Sequence, residues 1–179
     1  MPRAGDIALV SQSGAIVAGT AEWSTRRGIG FSALISIGDQ IDVDVSDLLD
    51  FFALDHATRT VLLYIESIKD ARKFMSAARA AARVKPVIIV KSGRHAQAAK
   101  AAATHTGALA GSDAVYEAAL RRAGLLRVDD LEELFEAAET LGRPYFRQEA
   151  RHTDKWRARR GPRDRSIGRS RRRGRGSLS

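Results

Sequence analysis

The sequence predicts an α/β fold: a doubly wound, five-stranded parallel sheet with helices on both faces. Two observations predict it. Short apolar runs alternate with helix-period segments five times along the chain, the pattern of crossover units in which a helix follows each strand. The middle runs, T-V-L-L-Y-I at 60–65 and P-V-I-I-V at 86–90, are continuously apolar, as strands covered on both faces are.

The first unit is a strand, Ile7–Val10, that follows Asp6 and ends in Ser11-Gln12-Ser13-Gly14, with an amphipathic segment from Ala15 to Arg27 behind it. Free N–H groups at a helix N-terminus, with the Ser11 and Ser13 hydroxyls beside them, favour anions, phosphate above all. The same residues also serve as a plain turn and helix cap. The second strand, Gly30–Ile37, runs into an acidic turn with Asp39, Asp42, Asp44 and then Asp47. Carboxylate oxygens suit Mg²⁺. The better reading is a helix opened by Ser46 and Asp47 and running to about Leu54, where negative charge stabilises the helix start.

The third strand, Thr60–Ile65, ends at Glu66-Ser67-Ile68, and a helix spans 70–83. The fourth, Pro86–Val90, has its proline at the first position, where no ladder bond is lost. Lys91 and Arg94 follow, either drawing anionic phosphate by charge or standing in a solvated loop; His95 reads as a surface residue. Ala96–Ala103 is Ala-rich and reads as helical. A helix spans Ser112–Arg122 with Ser112 and Asp113 as N-cap residues, and Leu125–Val128 is a short last strand. Asp129–Leu141 is an acidic-capped amphipathic helix with Gly142 at its end and Pro144 beyond. Right-handed crossovers then give a flavodoxin-like strand order, 2-1-3-4-5. That order puts the Ser11 turn, Glu66 and the loop after the fourth strand at one C-terminal edge, where open α/β sheets hold their functional groups.

The totals narrow the function. A chain of 179 residues suits one domain of ~100–200 residues. It has no cysteine, so no disulfide framework, thiol nucleophile or Cys-type zinc site. No apolar run approaches the ~20 residues of a membrane helix, and the first ten residues are no signal peptide, so a cytoplasmic location is expected. The net charge of +9 is uneven: residues 1–144 carry 17 Lys and Arg against 18 Asp and Glu, residues 145–179 carry 13 against 3. The body has no basic surplus for nucleic acid.

The most telling stretch is 101–113, A-A-A-T-H-T-G-A-L-A-G-S-D. His105 stands among small residues that do not shield it, and the glycines let the backbone approach a ligand closely. Imidazole is a nucleophile near neutral pH and forms covalent intermediates; an ordinary surface histidine is the plain alternative.

The segment T-H-T-G-A-L-A-G-S-D-A-V-Y-E-A-A-L-R-R-A-G-L-L-R-V resembles the phosphohistidine segment of the NDP-forming acyl-CoA synthetases, relatives of the succinyl-CoA synthetase alpha subunit. The resemblance, which covers Gly5 to about Pro144, implies that His105 is phosphorylated during turnover, with Thr106 and Gly107 beside the phosphoryl group. It implies that the Ser11, Gln12, Ser13 and Gly14 turn holds the phosphoryl oxygens. It implies that Glu66 accepts the ring N–H, which fixes the tautomer and frees the other nitrogen to attack. A simple N-terminal helix charge is the alternative for Glu66. The family usually has Asn where this chain has Asp39.

Full enzymes of that family also carry a CoA-binding Rossmann domain and an ATP-grasp domain or subunit. Neither the G-x-G-x-x-G fingerprint nor a P-loop occurs here. The resemblance thus implies a phosphohistidine domain, 1–144, that is inactive alone and binds no cofactor itself. CoA, ATP or ADP and Mg²⁺ would come through other domains, with acyl-CoA or acyl phosphate as substrate and no metal held by this chain. The tail, 145–179, lacks apolar periodicity and is expected to be disordered. Back-translated with GC-rich codons from His152, its adjacent frame reads T-R-T-N-G-G-R-G-G-V-L-A-T-D-R-L, similar to the family's continuation, so a frameshift between about Pro144 and His152 is expected. The competing functions are a ligand-sensing module of a protein acetyltransferase, and nucleic-acid binding by the Arg-rich tail.

Overall fold

The computed structural model describes residues 2–93 and 112–142. The chain divides into two units, Met1–Arg143 and Pro144–Ser179, and every described element belongs to the first. These elements are β1 (Arg3–Ser11), α1 (Gly14–Arg27), β2 (Gly30–Ser36), α2 (Val45–Leu54), β3 (Thr60–Ile65) and α3 (Ala71–Ala82), then β4 (Val87–Lys91), α4 (Asp113–Ala123), β5 (Leu126–Val128) and α5 (Leu131–Gly142). All strand pairs are parallel and the order is β2-β1-β3-β4-β5, the flavodoxin-like order expected. The helix expected at 96–103 and the tail lie outside the described residues.

The apolar runs are buried on both faces because alternate strand residues feed two helix layers. Val10, Leu63, Ile65 and Ile89 pack with Leu49 and Phe52 of α2, Phe74 of α3 and Leu120 of α4. Ile7, Leu9, Leu62 and Ile88 pack on the other face with Leu134 and Ala138 of α5. Each such side chain contributes roughly 1.5–3 kcal/mol on burial. Helix α1 buries Thr20 and Ser24, whose hydroxyls donate to carbonyls of their own helix, Ile16 at 2.7 Å and Ala21 at 3.0 Å. Trp23 of α1 stacks on Phe135 of α5 with ring centroids 4.5 Å apart.

Boundaries moved where tertiary contacts extend an element. Strand β1 starts at Arg3, before the apolar run, because its first residues pair with β2 through a register shift. There the backbones of Gly5 and Gly30 nearly touch: a Cβ on Gly5 would lie 2.2 Å from the Gly30 carbonyl carbon. Only glycine at both positions permits that approach. Pro86 stays just outside β4, its carbonyl accepting the Val61 N–H at 3.0 Å. Among the described residues, no helix is long and apolar enough to cross a membrane.

Candidate functional site

The C-terminal edge of β1 is pinned on both sides. The Gln12 N–H donates to the Tyr64 carbonyl at 3.1 Å, and the Ser11 carbonyl accepts the Ile37 N–H at 2.9 Å. Ser11 is fully buried, and its hydroxyl closes the turn on itself. It donates to the Ser13 carbonyl at 2.8 Å and accepts the Ser13 N–H at 3.0 Å. In this arrangement Ser11 shapes the turn, and its hydroxyl proton is already engaged.

Ser13 is the N-cap of α1 and makes no side-chain cap bond. The first bond into the helix is the Val17 N–H to the Ser13 carbonyl, 3.3 Å. The N–H groups of Gly14, Ala15 and Ile16 therefore find no acceptor among the described residues. The first turn holds no acidic residue. An uncapped helix start with no carboxylate of its own is a place for an anion.

Gln12 joins this turn to β3. Its Oε1 accepts the N–H groups of Glu66 (2.6 Å) and Ser67 (2.9 Å), and its Nε2 donates to Ser67 Oγ at 3.2 Å. Glu66, half-buried just past β3, makes no hydrogen bond or ion pair with its carboxylate among the described residues. Gln12, Ser13, Gly14, Glu66 and Ser67 line one cleft of about 510 Å³. The sequence brought the Ser11–Gly14 turn and Glu66 to one edge, and the structure places them across this cleft.

Of the opposite wall, the sequence pointed only to Asp39, whose carboxylate stands where the family usually has Asn. Gly38, Asp39 and Lys69 complete it. Gly38 turns the chain at φ 48°, and Gln40 follows at φ 54°. Gln40 is buried, accepting the Val45 N–H at 3.2 Å and donating to the Ser67 carbonyl at 3.4 Å, while Lys69 Nζ donates to the Gln40 carbonyl at 2.8 Å. A non-glycine residue at positive φ is the trace of that constraint, and it is not visible in a Gly-Asp-Gln string.

The acidic turn has a structural occupation. Asp44 caps α2, its Oδ1 accepting the N–H groups of Ser46 (2.7 Å) and Asp47 (3.1 Å), while Asp47 returns a bond to the Asp44 N–H at 3.1 Å. Lys73 Nζ bridges the two carboxylates at 2.9 and 2.7 Å. Burial alone would raise the Asp44 carboxyl, but Lys73 and the N–H groups of Asp47 and Ser46 outweigh it and hold it below its ordinary value. Among the described residues no cluster of three His, Asp or Glu could hold a metal.

Lys91 is half-buried and stands over the Tyr116 ring, 4.8 Å from the centroid. It is not the solvated loop residue that was one of its two readings. His105, Thr106 and Gly107, with Arg94 and His95, lie outside the described residues. The chain reaches that segment through Ser92, whose N–H donates to the Ile65 carbonyl at 2.9 Å, next to Glu66.

Residues 4–141 match the family described as "Succinyl-CoA ligase like flavodoxin domain". The chain is similar to ADP-forming acetate–CoA ligase I of Archaeoglobus fulgidus, with 46% identity over 140 residues covering 78% of this chain and 20% of that protein. It is similar to the alpha subunit of ADP-forming acetate–CoA ligase I of Pyrococcus furiosus, with 47% identity over 137 residues, 76% of this chain and 30% of that one. A solved structure, the dinucleotide-forming acetyl-coenzyme A synthetase 1 of Ca. Korarchaeum cryptofilum in complex with phosphate and ADP, superposes with a TM-score of 0.74 at 36% identity. The match covers 79% of this chain and 31% of that one. The chain thus spans between a fifth and a third of the length of these relatives.

Proposed function

The chain belongs to the succinyl-CoA ligase like flavodoxin domain family, and on that premise we propose that it is the phosphoryl-carrying domain of an NDP-forming acyl-CoA synthetase. The observation that carries the reading is the Gln12 bridge. One side chain holds the uncapped start of α1 and Glu66, whose carboxylate has no partner among the described residues, across a single cleft. The cleft offers N–H donors for phosphoryl oxygens and an acceptor for a ring N–H, which is what a phosphohistidine needs.

In this reading a nitrogen of His105 attacks the phosphorus of an acyl phosphate. The P–N bond forms, the P–O bond to the acyl group breaks, and the carboxylate leaves with the electron pair. The open N–H groups of α1 and the Ser13 hydroxyl receive the phosphoryl oxygens, preorganised and without reorganisation at the moment of transfer. Glu66 holds the proton on the other ring nitrogen. The phosphoryl group then passes to a nucleoside diphosphate. CoA, the nucleotide and Mg²⁺ are bound by further domains or subunits, in keeping with the share of the relatives that this chain spans. The location is cytoplasmic.

The test is label retention. The full chain is incubated with phosphorus-32-labelled acetyl phosphate and a CoA-binding subunit, and separately with ATP labelled at the γ-phosphate and an ATP-grasp subunit. Acid-labile label on the wild type that vanishes in His105→Ala supports the reading. Acid-stable label, or none in either arm, sinks it in favour of a ligand-sensing module.

A further inference from the structure

Three charged side chains line the cleft: the carboxylates of Asp39 and Glu66 and the ammonium of Lys69. Neither carboxylate has a hydrogen bond or ion pair among the described residues. The Lys69 ammonium is turned to the Gln40 carbonyl at 2.8 Å. The described lining therefore carries one negative charge in excess, on a cleft whose other wall offers the open N–H groups of α1.

The place of Asp39 is set by its chain neighbours. Gly38 and Gln40 flank it at φ 48° and 54°, and the Gln40 N–H donates to the Ile37 carbonyl at 2.9 Å. Gln40 is 4% exposed and tied by its side chain to Val45 and Ser67. The Asp39 side chain takes no part in that network, so the turn does not need its carboxylate. The neighbouring acids are placed differently. Asp44 and Asp47 are bridged by Lys73, and Asp42 is exposed and outside the cleft's lining.

A fixed negative charge weakens the binding of any anion near it, more so for a dianion than for a monoanion. The effect falls unequally on two forms of phosphate. A free anion occupies the cleft only as far as its affinity and bulk concentration allow. A phosphoryl group carried on the protein is presented at an effective concentration on the order of millimolar or above, and tolerates a loss of about tenfold.

We propose that Asp39 is a specificity-determining residue, a carboxylate that keeps free inorganic phosphate off the start of α1 and so reserves those donors for a phosphoryl group carried on the protein. The inference rests on the phosphoryl-carrying reading and concerns the same cleft.

Three variants of the full chain test it. Asp39→Asn removes the charge at the same size, Asp39→Glu keeps it, and Asp42→Asn removes an equal charge outside the cleft. The probe is inorganic phosphate, titrated at constant ionic strength and mildly alkaline pH, where it is mainly the dianion. The readout is the NMR shift of the backbone amides of Gly14, Ala15 and Ile16. Asp39→Asn should bind phosphate about tenfold more tightly than the wild type, with Asp39→Glu and Asp42→Asn within about twofold of it. Unchanged affinity in Asp39→Asn overturns the proposal. An equal gain in Asp42→Asn also overturns it, since net charge alone would then be at work. A gain in Asp39→Glu as large as in Asp39→Asn does the same, because the charge is retained there. So does the absence of any phosphate-dependent shift at these three amides in both the wild type and Asp39→Asn. Label retention is read separately. Without His105-dependent label the phosphoryl-carrying reading falls and the reservation with it, while tighter phosphate in Asp39→Asn alone still identifies the charge that excludes the free anion.

Discussion

Helices α1 and α2 both begin just beyond the C-terminal ends of neighbouring strands, and their first turns are finished in opposite ways. The start of α2 is closed: Asp44 accepts two backbone N–H groups, Asp47 answers with a third bond, and Lys73 bridges both carboxylates. The start of α1 is open, with no side-chain cap bond and no acid in the first turn. A capped helix end has satisfied its own donors. An uncapped one keeps donors and a positive dipole end for something else. The contrast separates a structural polar turn from a candidate site although both are polar, Gly-containing and adjacent in the sheet.

The sharpest way to break the contrast is to make the first turn resemble the second. Ser13→Asp places a carboxylate where the anion would sit. Acid-labile labelling should drop about a hundredfold while thermal unfolding shows a gain of ~0.5–1 kcal/mol from the new cap. Labelling that survives would mean that α1's start does not receive the phosphoryl group.

Gln12→Ala should come next. It leaves the N–H groups of Glu66 and Ser67 without their acceptor, a loss of about 2 kcal/mol in denaturant unfolding. Labelling should fall with it, since Glu66 would no longer be held to the α1 turn.

The smallest effect belongs to the closed turn. Asp44→Ala should cost about 1 kcal/mol at neutral pH and leave labelling untouched. Because the folded Asp44 carboxyl lies below its ordinary value of 3.8, its contribution is fully present above that pH. It is lost as pH falls through the folded value. The deficit of the variant should therefore shrink on acidification. A deficit that grows in acid would contradict the ion pair with Lys73.

Much of the fold was legible because it is written in local pattern. The continuous apolar runs 60–65 and 86–90 read as covered strands, and the five-fold alternation ordered them. Boundaries were less legible. The β1 extension back to Arg3 depends on Gly30, 25 residues after Gly5, allowing the two backbones to meet. Of the candidate site, the Ser11–Gly14 turn and Glu66 were visible as polar residues at strand ends. Which hydroxyl stays available was not. Ser11 and Ser13 look alike in S-Q-S-G, yet Ser11 is consumed inside the turn and Ser13 is not. Lys69 as part of the opposite wall was illegible, because its place depends on Gln40 at positive φ.

By itself the sequence determined the element types, their parallel order and the edge at which polar groups gather, because apolar periodicity and short connections act over a few residues. Only the tertiary structure decided which of those polar groups are spent and which are left over. Gln12 meets Glu66 across 54 residues of chain, and Lys73 meets Asp44 across 29. A buried or half-buried donor is satisfied by whatever the packed sheet brings within ~3 Å of it, and that distance exists only once the strands lie side by side.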